Sequence, residues 1–225
     1  MSTMLTAHSG CDGTKDNSME YVRYALELDV DAIEVDVRRG SGGTLMLAHD
    51  DGPANAALYD VFLALTAHPD KKLNCDLKQA NQEMDVLRLA RQAGCGSQII
   101  FSGTVSGDAA KAQPDIFEQA EWFVNIELLF PKINTLGLTA AVGLLGPIYM
   151  AGKLQEFISG TGARCVNAHH SIASTPLYPE LMDRQIPISV WTPDDVHLIR
   201  SFLTDGVYNI TTRNAKIACG IVRGH

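Results

Sequence analysis

Short apolar runs alternate along the chain with longer segments in which apolar residues recur every three or four positions. The runs Met4–His8, Ala32–Val37, Lys72–Leu77, Gln98–Ser102, Trp122–Leu128, Arg164–Ala168, Pro187–Trp191 and Val207–Thr211 read as β-strands. The segments between them read as helices. The first is the clearest: Met19, Val22, Ala25 and Leu26 share a face, and Asn17 with Glu20 predicts a capping box. Leu58 to Leu65, Val86 to Ala93, Leu154 to Ile158 and Val196 to Leu203 read as further helices. Eight strands with intervening helices predict an α/β fold, a parallel (β/α)8 TIM barrel forming one domain over residues 1–225. A doubly wound open sheet would give a similar alternation. One departure stands out. Val37 leads through Gly40-Ser41-Gly42-Gly43 directly into Thr44–His49, which predicts a short β-hairpin after the second strand. That hairpin would fold His49 back over the strand end carrying Glu34 and Asp36.

Between Lys132 and Lys153 no residue is charged, a stretch long enough in principle to cross a bilayer. It is interrupted by Gly137, Gly143, Gly146, Pro147 and Gly152, so a helix and loop buried against the barrel is expected instead. The alternative is an apolar lip that touches a lipid-like substrate.

Polar residues cluster where the first strands end. His8-Ser9-Gly10, Glu34-Val35-Asp36, His49-Asp50 and Asn74-Cys75-Asp76-Leu77-Lys78 each close or follow a strand-like run, and parallel barrel strands bring such ends to one rim. Side chains alternate along a strand, so Glu34, Asp36 and Arg38 share one side, as do Asn74, Asp76 and Lys78. Three clustered carboxylates repel one another, and a bound cation relieves that. Oxygen ligands without a His or Cys set favour Mg²⁺ or Ca²⁺ over zinc. Two histidines near such an ion can move protons at neutral pH, and Lys78 can take charge that builds in a transition state. The combination suits phosphodiester chemistry. Glu127 could reach the metal or a substrate hydroxyl, or pair with a neighbouring lysine. Trp191 is expected to line the substrate pocket from its strand end. His68, His169, His170, His197 and His225 are expected at the surface.

Composition narrows the partners. At 46% hydrophobic and 20% charged residues the chain is ordinary for a globular protein. A net charge of −8 argues against nucleic acid and against docking on anionic lipid, so an anionic substrate must be drawn in by local positive charge. The five cysteines form no C-x-x-C pair and read as free thiols. With no signal peptide or membrane-spanning pattern, a cytoplasmic location and no stable membrane insertion are expected; the oligomeric state is left open.

At these residues the chain resembles the glycerophosphodiester phosphodiesterase family, metal-dependent (β/α)8 barrels of the PLC-like phosphodiesterase superfamily. That family opens with a His-Arg-Gly strand end and a Glu-Asn-Thr helix start, followed by Glu-x-Asp-Val. A hairpin ending in His-Asp comes next, then Asn-x-Glu-x-Lys, a Trp-Thr strand end and a closing Gly-Val-Asp-Gly-Ile-x-Thr-Asp. The matching groups are His8-Ser9-Gly10, Asp16-Asn17-Ser18, Glu34-Val35-Asp36-Val37, His49-Asp50, Asn74-Cys75-Asp76-Leu77-Lys78, Trp191-Thr192 and Gly206–Thr212. The resemblance implies metal ligation by Glu34, Asp36 and Asp76 and acid–base catalysis by His8 and His49. It implies hydrolysis of a small glycerophosphodiester to sn-glycerol 3-phosphate and an alcohol. Related enzymes let an internal hydroxyl attack and form a cyclic phosphate, so a phospholipase D-like, cyclising enzyme acting on a lysophospholipid is a second expectation. A barrel that binds a phosphorylated ligand without turnover is a third. Departures fall at Ser9, where the family's phosphate-binding arginine is missing and which keeps one hydrogen-bond donor, and at Asp76 and Asp16, which replace glutamates. Thr212 is taken to replace the late aspartate. Arg38, on the same strand side as the acids, is the candidate replacement for the missing arginine.

Overall fold

The computed structural model describes residues 2–51, 55–105 and 120–223. Eight parallel strands close into a barrel: β1 (Met4–Ala7), β2 (Ala32–Arg39), β5 (Lys72–Leu77), β6 (Ile99–Gly103), β7 (Glu121–Asn125), β8 (Cys165–His169), β9 (Ile188–Trp191) and β10 (Asn209–Thr212). Each pairs with its neighbour in sequence, and β1 pairs with both β10 and β2, which closes the ring and excludes the open sheet. The hairpin is present as expected. The end of β2 runs antiparallel to β3 (Leu45–Leu47), which also pairs with the two-residue β4 (Ala56–Ala57).

Ten α-helices are found among the described residues: α1 (Met19–Leu26), α2 (Leu58–Leu65), α3 (Glu83–Ala93), α4 (Ile126–Leu129), α5 (Ile133–Leu136), α6 (Leu138–Leu145), α7 (Pro147–Thr161), α8 (Leu177–Asp183), α9 (Val196–Asp205) and α10 (Ala215–Arg223). Strand residues with one parity, among them Leu5, Ile33, Val35, Leu73, Phe101 and Val190, point outward and pack under the helices to form the main core. The opposite parity faces the barrel interior. There a small apolar cluster of Ala32, Ile100, Phe123 and Cys165 lies below a polar layer that includes Thr6, Glu34, Asn167 and Asn209. The described cysteines are all free, and all but Cys219 are buried.

Three expectations change. Helix α1 is capped by Ser18, whose Oγ accepts from the Tyr21 N–H at 3.2 Å, while Asn17 turns inward instead of forming the predicted box. Strand β7 stops at Asn125, and the next apolar residues wind into α4, so Glu127 sits on a helix. The uncharged stretch is only half buried. Helices α5 to α7 bury Ile133, Leu138, Met150 and Leu154 but leave Leu136, Leu144, Ile148 and Tyr149 exposed. No helix among the described residues is long and apolar enough to cross a membrane.

Helix α1 is bolted to the strands that carry the polar rim. The fully buried Tyr21 hydroxyl lies 2.7 Å from the Ala7 carbonyl and 2.9 Å from the Glu34 carbonyl, and accepts the Glu34 N–H at 3.2 Å. Removing it strands buried backbone groups on both β1 and β2. Tyr21→Phe is therefore expected to lower unfolding stability by about 1–3 kcal/mol, read as a shifted urea midpoint at unchanged slope.

Candidate active site

The C-terminal ends of the barrel strands surround a cavity of about 400 Å³. Its described lining includes His8 after β1, Glu34 and Asp36 on β2, His49 after β3, Asp76 and Lys78 from β5, and Trp191 at the end of β9. The register explains the acid cluster. Asp36 lies opposite Asp76 on the adjacent strand, and Glu34 opposite Asn74 one pleat lower. One oxygen from each of Glu34, Asp36 and Asp76 lies within 4.8 Å of the others.

Every carboxylate of the cluster is held. Asn17, in a left-handed backbone conformation, donates from Nδ2 to Asp36 Oδ2 at 2.7 Å and accepts the Asp36 N–H at 2.9 Å. Ser9 donates its N–H to Glu34 Oε2 at 3.0 Å, and Ser102 donates to Asp76 Oδ1 at 3.0 Å. The Lys78 ammonium is 2.8 Å from Asp36 and also in contact with Asp76. Gly103 lets β6 approach: at its φ of +77° a Cβ would lie 2.4 Å from Asp76 Oδ1.

Electrostatics differ sharply across the three acids. Burial pushes Glu34 up to about 7; the nearby His8 lowers it, and Asp36 and Asp76 raise it further. Burial acts the same way on Asp36, but Lys78 and Asn17 outweigh it and hold that carboxyl below its usual range. Burial opposes the Lys78 charge, yet Asp76 and Asp36 keep its ammonium well above the usual lysine range. The cluster thus carries an excess of negative charge with one cation at its edge. Asn74 also lines the cavity, and its buried Oδ1 has no hydrogen-bond partner among the described residues. Hard oxygen donors in this number fit Mg²⁺, Ca²⁺ or a similar ion.

The neighbours of the two histidines select one tautomer of each neutral ring. His8 Nδ1 is 2.9 Å from the Ser9 carbonyl, which can only accept, so the neutral ring donates from Nδ1–H and leaves Nε2 without a proton. His49 Nδ1 meets Asp50 Oδ1 at 3.0 Å, with the same consequence. His8 is half-buried and His49 exposed, so the cavity presents one shielded and one open imidazole.

No family model matches the sequence. The chain is 21% identical to glycerophosphodiester phosphodiesterase GDPD4 of Arabidopsis thaliana, in an alignment that covers 97% of this chain and 73% of that protein. A glycerophosphodiester phosphodiesterase from Parabacteroides distasonis superposes with a TM-score of 0.69 at 15% identity, over 100% of this chain and 99% of that one. An Oleispira antarctica phosphodiesterase, in complex with the product sn-glycerol-3-phosphate, superposes with a TM-score of 0.66 at 12% identity, over 99% and 97%. The barrel is the one seen in glycerophosphodiester phosphodiesterases.

Several other residues singled out from the sequence lie elsewhere. Ser9 is buried below the rim with its Oγ accepting the Asn17 N–H, so its hydroxyl works in support of the turn. Arg38 is not among the lining residues; its guanidinium donates to the His49 carbonyl and to Asp51, and so steadies the His49 loop. Glu127 is likewise outside the lining. Burial raises its pKa, and its Oε2 has no hydrogen-bond partner among the described residues. His169 and His170 are half-buried and pack beside Trp191 and the Thr192 carbonyl, not on the open surface. His68 is half-buried near Glu27, His197 is exposed, and His225 lies outside the described residues.

Other lining residues escaped the sequence reading. Asn17 looked like a helix cap, while Asn125 and Asn167 are joined by an amide hydrogen bond of 2.9 Å across adjacent strand ends. Arg213 also lines the cavity and was not singled out. Counted from Gly206, the late aspartate of the family pattern falls on Arg213, not on Thr212.

Glu34 offers a direct check on the cluster. With its pKa raised on folding, the native protein keeps a proton between about pH 4.5 and 7 that the unfolded chain releases. Metal-free protein should therefore lose thermal stability from this group as pH rises through that window. Comparing melting temperatures of wild type and Glu34→Gln should show a difference that shrinks toward low pH.

Proposed function

We propose that this chain is a divalent-metal-dependent phosphodiesterase that hydrolyses small glycerophosphodiesters to sn-glycerol 3-phosphate and an alcohol. The observation that carries the reading is the joint presence, in one rim cavity, of two histidines, three mutually close carboxylates and a lysine. The likeness to barrels named as glycerophosphodiester phosphodiesterases, one of them holding sn-glycerol-3-phosphate, supports it.

In this reading Glu34, Asp36 and Asp76 hold Mg²⁺ or Ca²⁺. A cation bound there would offset phosphate charge and stabilise negative oxygen during displacement at phosphorus. The rest of the chemistry belongs to the protein. One histidine takes the proton of the attacking hydroxyl or water as the new P–O bond forms; the other gives a proton to the departing alkoxide as the old P–O bond breaks. The Nδ1 contacts to the Ser9 carbonyl and to Asp50 fix Nε2 of each ring for that exchange. Lys78 supplies positive charge beside the phosphate, and Trp191 walls the pocket. Free thiols suit a reducing, cytoplasmic setting, and the chain acts as one domain.

A second reading draws on the apolar side chains exposed on α5 to α7, which follow β7 and the short α4. A lysophospholipid could rest its acyl chain there while its own hydroxyl attacks phosphorus, giving a cyclic phosphate and releasing the headgroup alcohol.

Assays with glycerophosphocholine and glycerophosphoethanolamine separate the cases. The main reading expects glycerol 3-phosphate, abolished by chelator and restored by Mg²⁺ or Ca²⁺; a cyclic phosphate from lysophosphatidylcholine would favour the second. His8→Ala and His49→Ala should each lower kcat by about 10²–10⁴-fold. Near-wild-type turnover in either variant would remove its assigned role.

A further inference from the structure

A cavity lined by Asp16, Glu34, Asp36 and Asp76 repels an anion, and the protein as a whole is acidic, so a phosphodiester needs a dedicated cation at this rim. Lys78 is engaged by two carboxylates, and Arg38 is turned toward the His49 carbonyl and Asp51. One other lysine or arginine lines the cavity among the described residues, Arg213, just beyond β10. We propose that Arg213 binds a non-bridging oxygen of the substrate phosphate, as the phosphate-recognising arginine of this site.

The position of Arg213 is built from several sides. Its N–H donates to Asp194 Oδ1 at 2.8 Å, its carbonyl accepts the Asp12 N–H at 2.8 Å, and the preceding Thr212 carbonyl accepts the His8 N–H at 2.9 Å. The last strand end is thus locked to the turn that carries His8. Asp16 then aims the side chain, accepting from Nη1 at 2.8 Å. Gly10 makes room for this pair: at its φ of +74° a Cβ would lie 2.0 Å from Asp16 Oδ1 and 2.9 Å from Arg213 Nη1. The Asp16–Arg213 pair is about half exposed, so it orients the guanidinium without neutralising it as a buried pair would. An arginine carries five N–H donors, and Asp16 is the sole described residue that accepts from this guanidinium. The remaining donors of the planar guanidinium suit bidentate hydrogen bonding to phosphate oxygens.

The inference rests on the phosphodiesterase reading for its substrate, and its test separates the two. Calorimetry with sn-glycerol 3-phosphate and with inorganic phosphate, in the presence of Mg²⁺, should be run on wild type, Arg213→Met, Arg213→Lys, Asp16→Asn and Arg88→Met, alongside KM and kcat for glycerophosphocholine. Arg213→Met should weaken binding and raise KM by about tenfold to a hundredfold, the range for charge-assisted hydrogen bonds, with a smaller change in kcat. Arg213→Lys should recover part of that loss, since it restores charge but not the fork. Asp16→Asn, which keeps the donors but loosens their aim, should fall between wild type and Arg213→Met. Arg88→Met, a surface control, should match wild type. Wild-type binding and KM in Arg213→Met, at an unchanged melting temperature, would overturn the proposal while leaving the phosphodiesterase reading standing. Failure of the wild type to bind either phosphate would also overturn it. Binding that depends on Arg213 without turnover of any glycerophosphodiester would uphold the anion site and sink the enzymatic reading.

Discussion

The site depends on a repulsion built into the sheet register. Asp36 and Asp76 face each other on adjacent strands, with Glu34 one pleat below. Such an arrangement costs stability unless opposing groups are brought to it. Asn17 clamps Asp36 through both its amide nitrogen and its amide oxygen, the Ser9 N–H holds Glu34, Ser102 holds Asp76, and Lys78 bridges the two aspartates. Glu34, deepest of the three, answers by holding its proton to about pH 7. A divalent cation would meet the same need more fully than one lysine ammonium.

The barrel makes this concentration of charge tolerable by separating duties along each strand. Outward positions such as Val35, Cys75 and Phe101 bury apolar surface under the helices, and the inward positions beside them are then free to be polar. Closure matters most where β1 meets β2 through only a short paired stretch, because these strands bear His8 and the first two acids. Tyr21 spans that seam with one hydroxyl, so the same side chain supports both the fold and the relative placement of His8 and Glu34.

Much of this was legible in the sequence for a simple reason. Alternating strand residues declare which side chains share a face, and parallel strands fix which end of the sheet they reach. The grouping of Glu34, Asp36, Asp76 and Lys78 follows from that geometry; His8 follows from the end of β1 and His49 from the hairpin, and the acid–base roles of the two histidines drew on the family resemblance as well. What stayed hidden depends on loops and on local competition. Asn17 has the chemistry of a helix cap, and only the fold reveals that Ser18 takes that role while Asn17 turns to Asp36. The apolar run through Leu128 has no internal signal that β7 stops at Asn125. Arg38 alternates correctly toward the cavity, yet leaves it for the His49 loop because β2 continues into the hairpin. Arg213 lies more than two hundred residues from the turn it completes, a separation that no local pattern can bridge.

Glu34, Asp36 and Asp76 are proposed to form one cation site. A Mn²⁺ titration of chelator-treated protein, followed by electron paramagnetic resonance for wild type and Asp36→Asn, tests it most directly. One bound ion per chain is expected in the wild type and loss of that ion in the variant, with both proteins folded. Equal Mn²⁺ binding by the two, or none by the wild type, would contradict it.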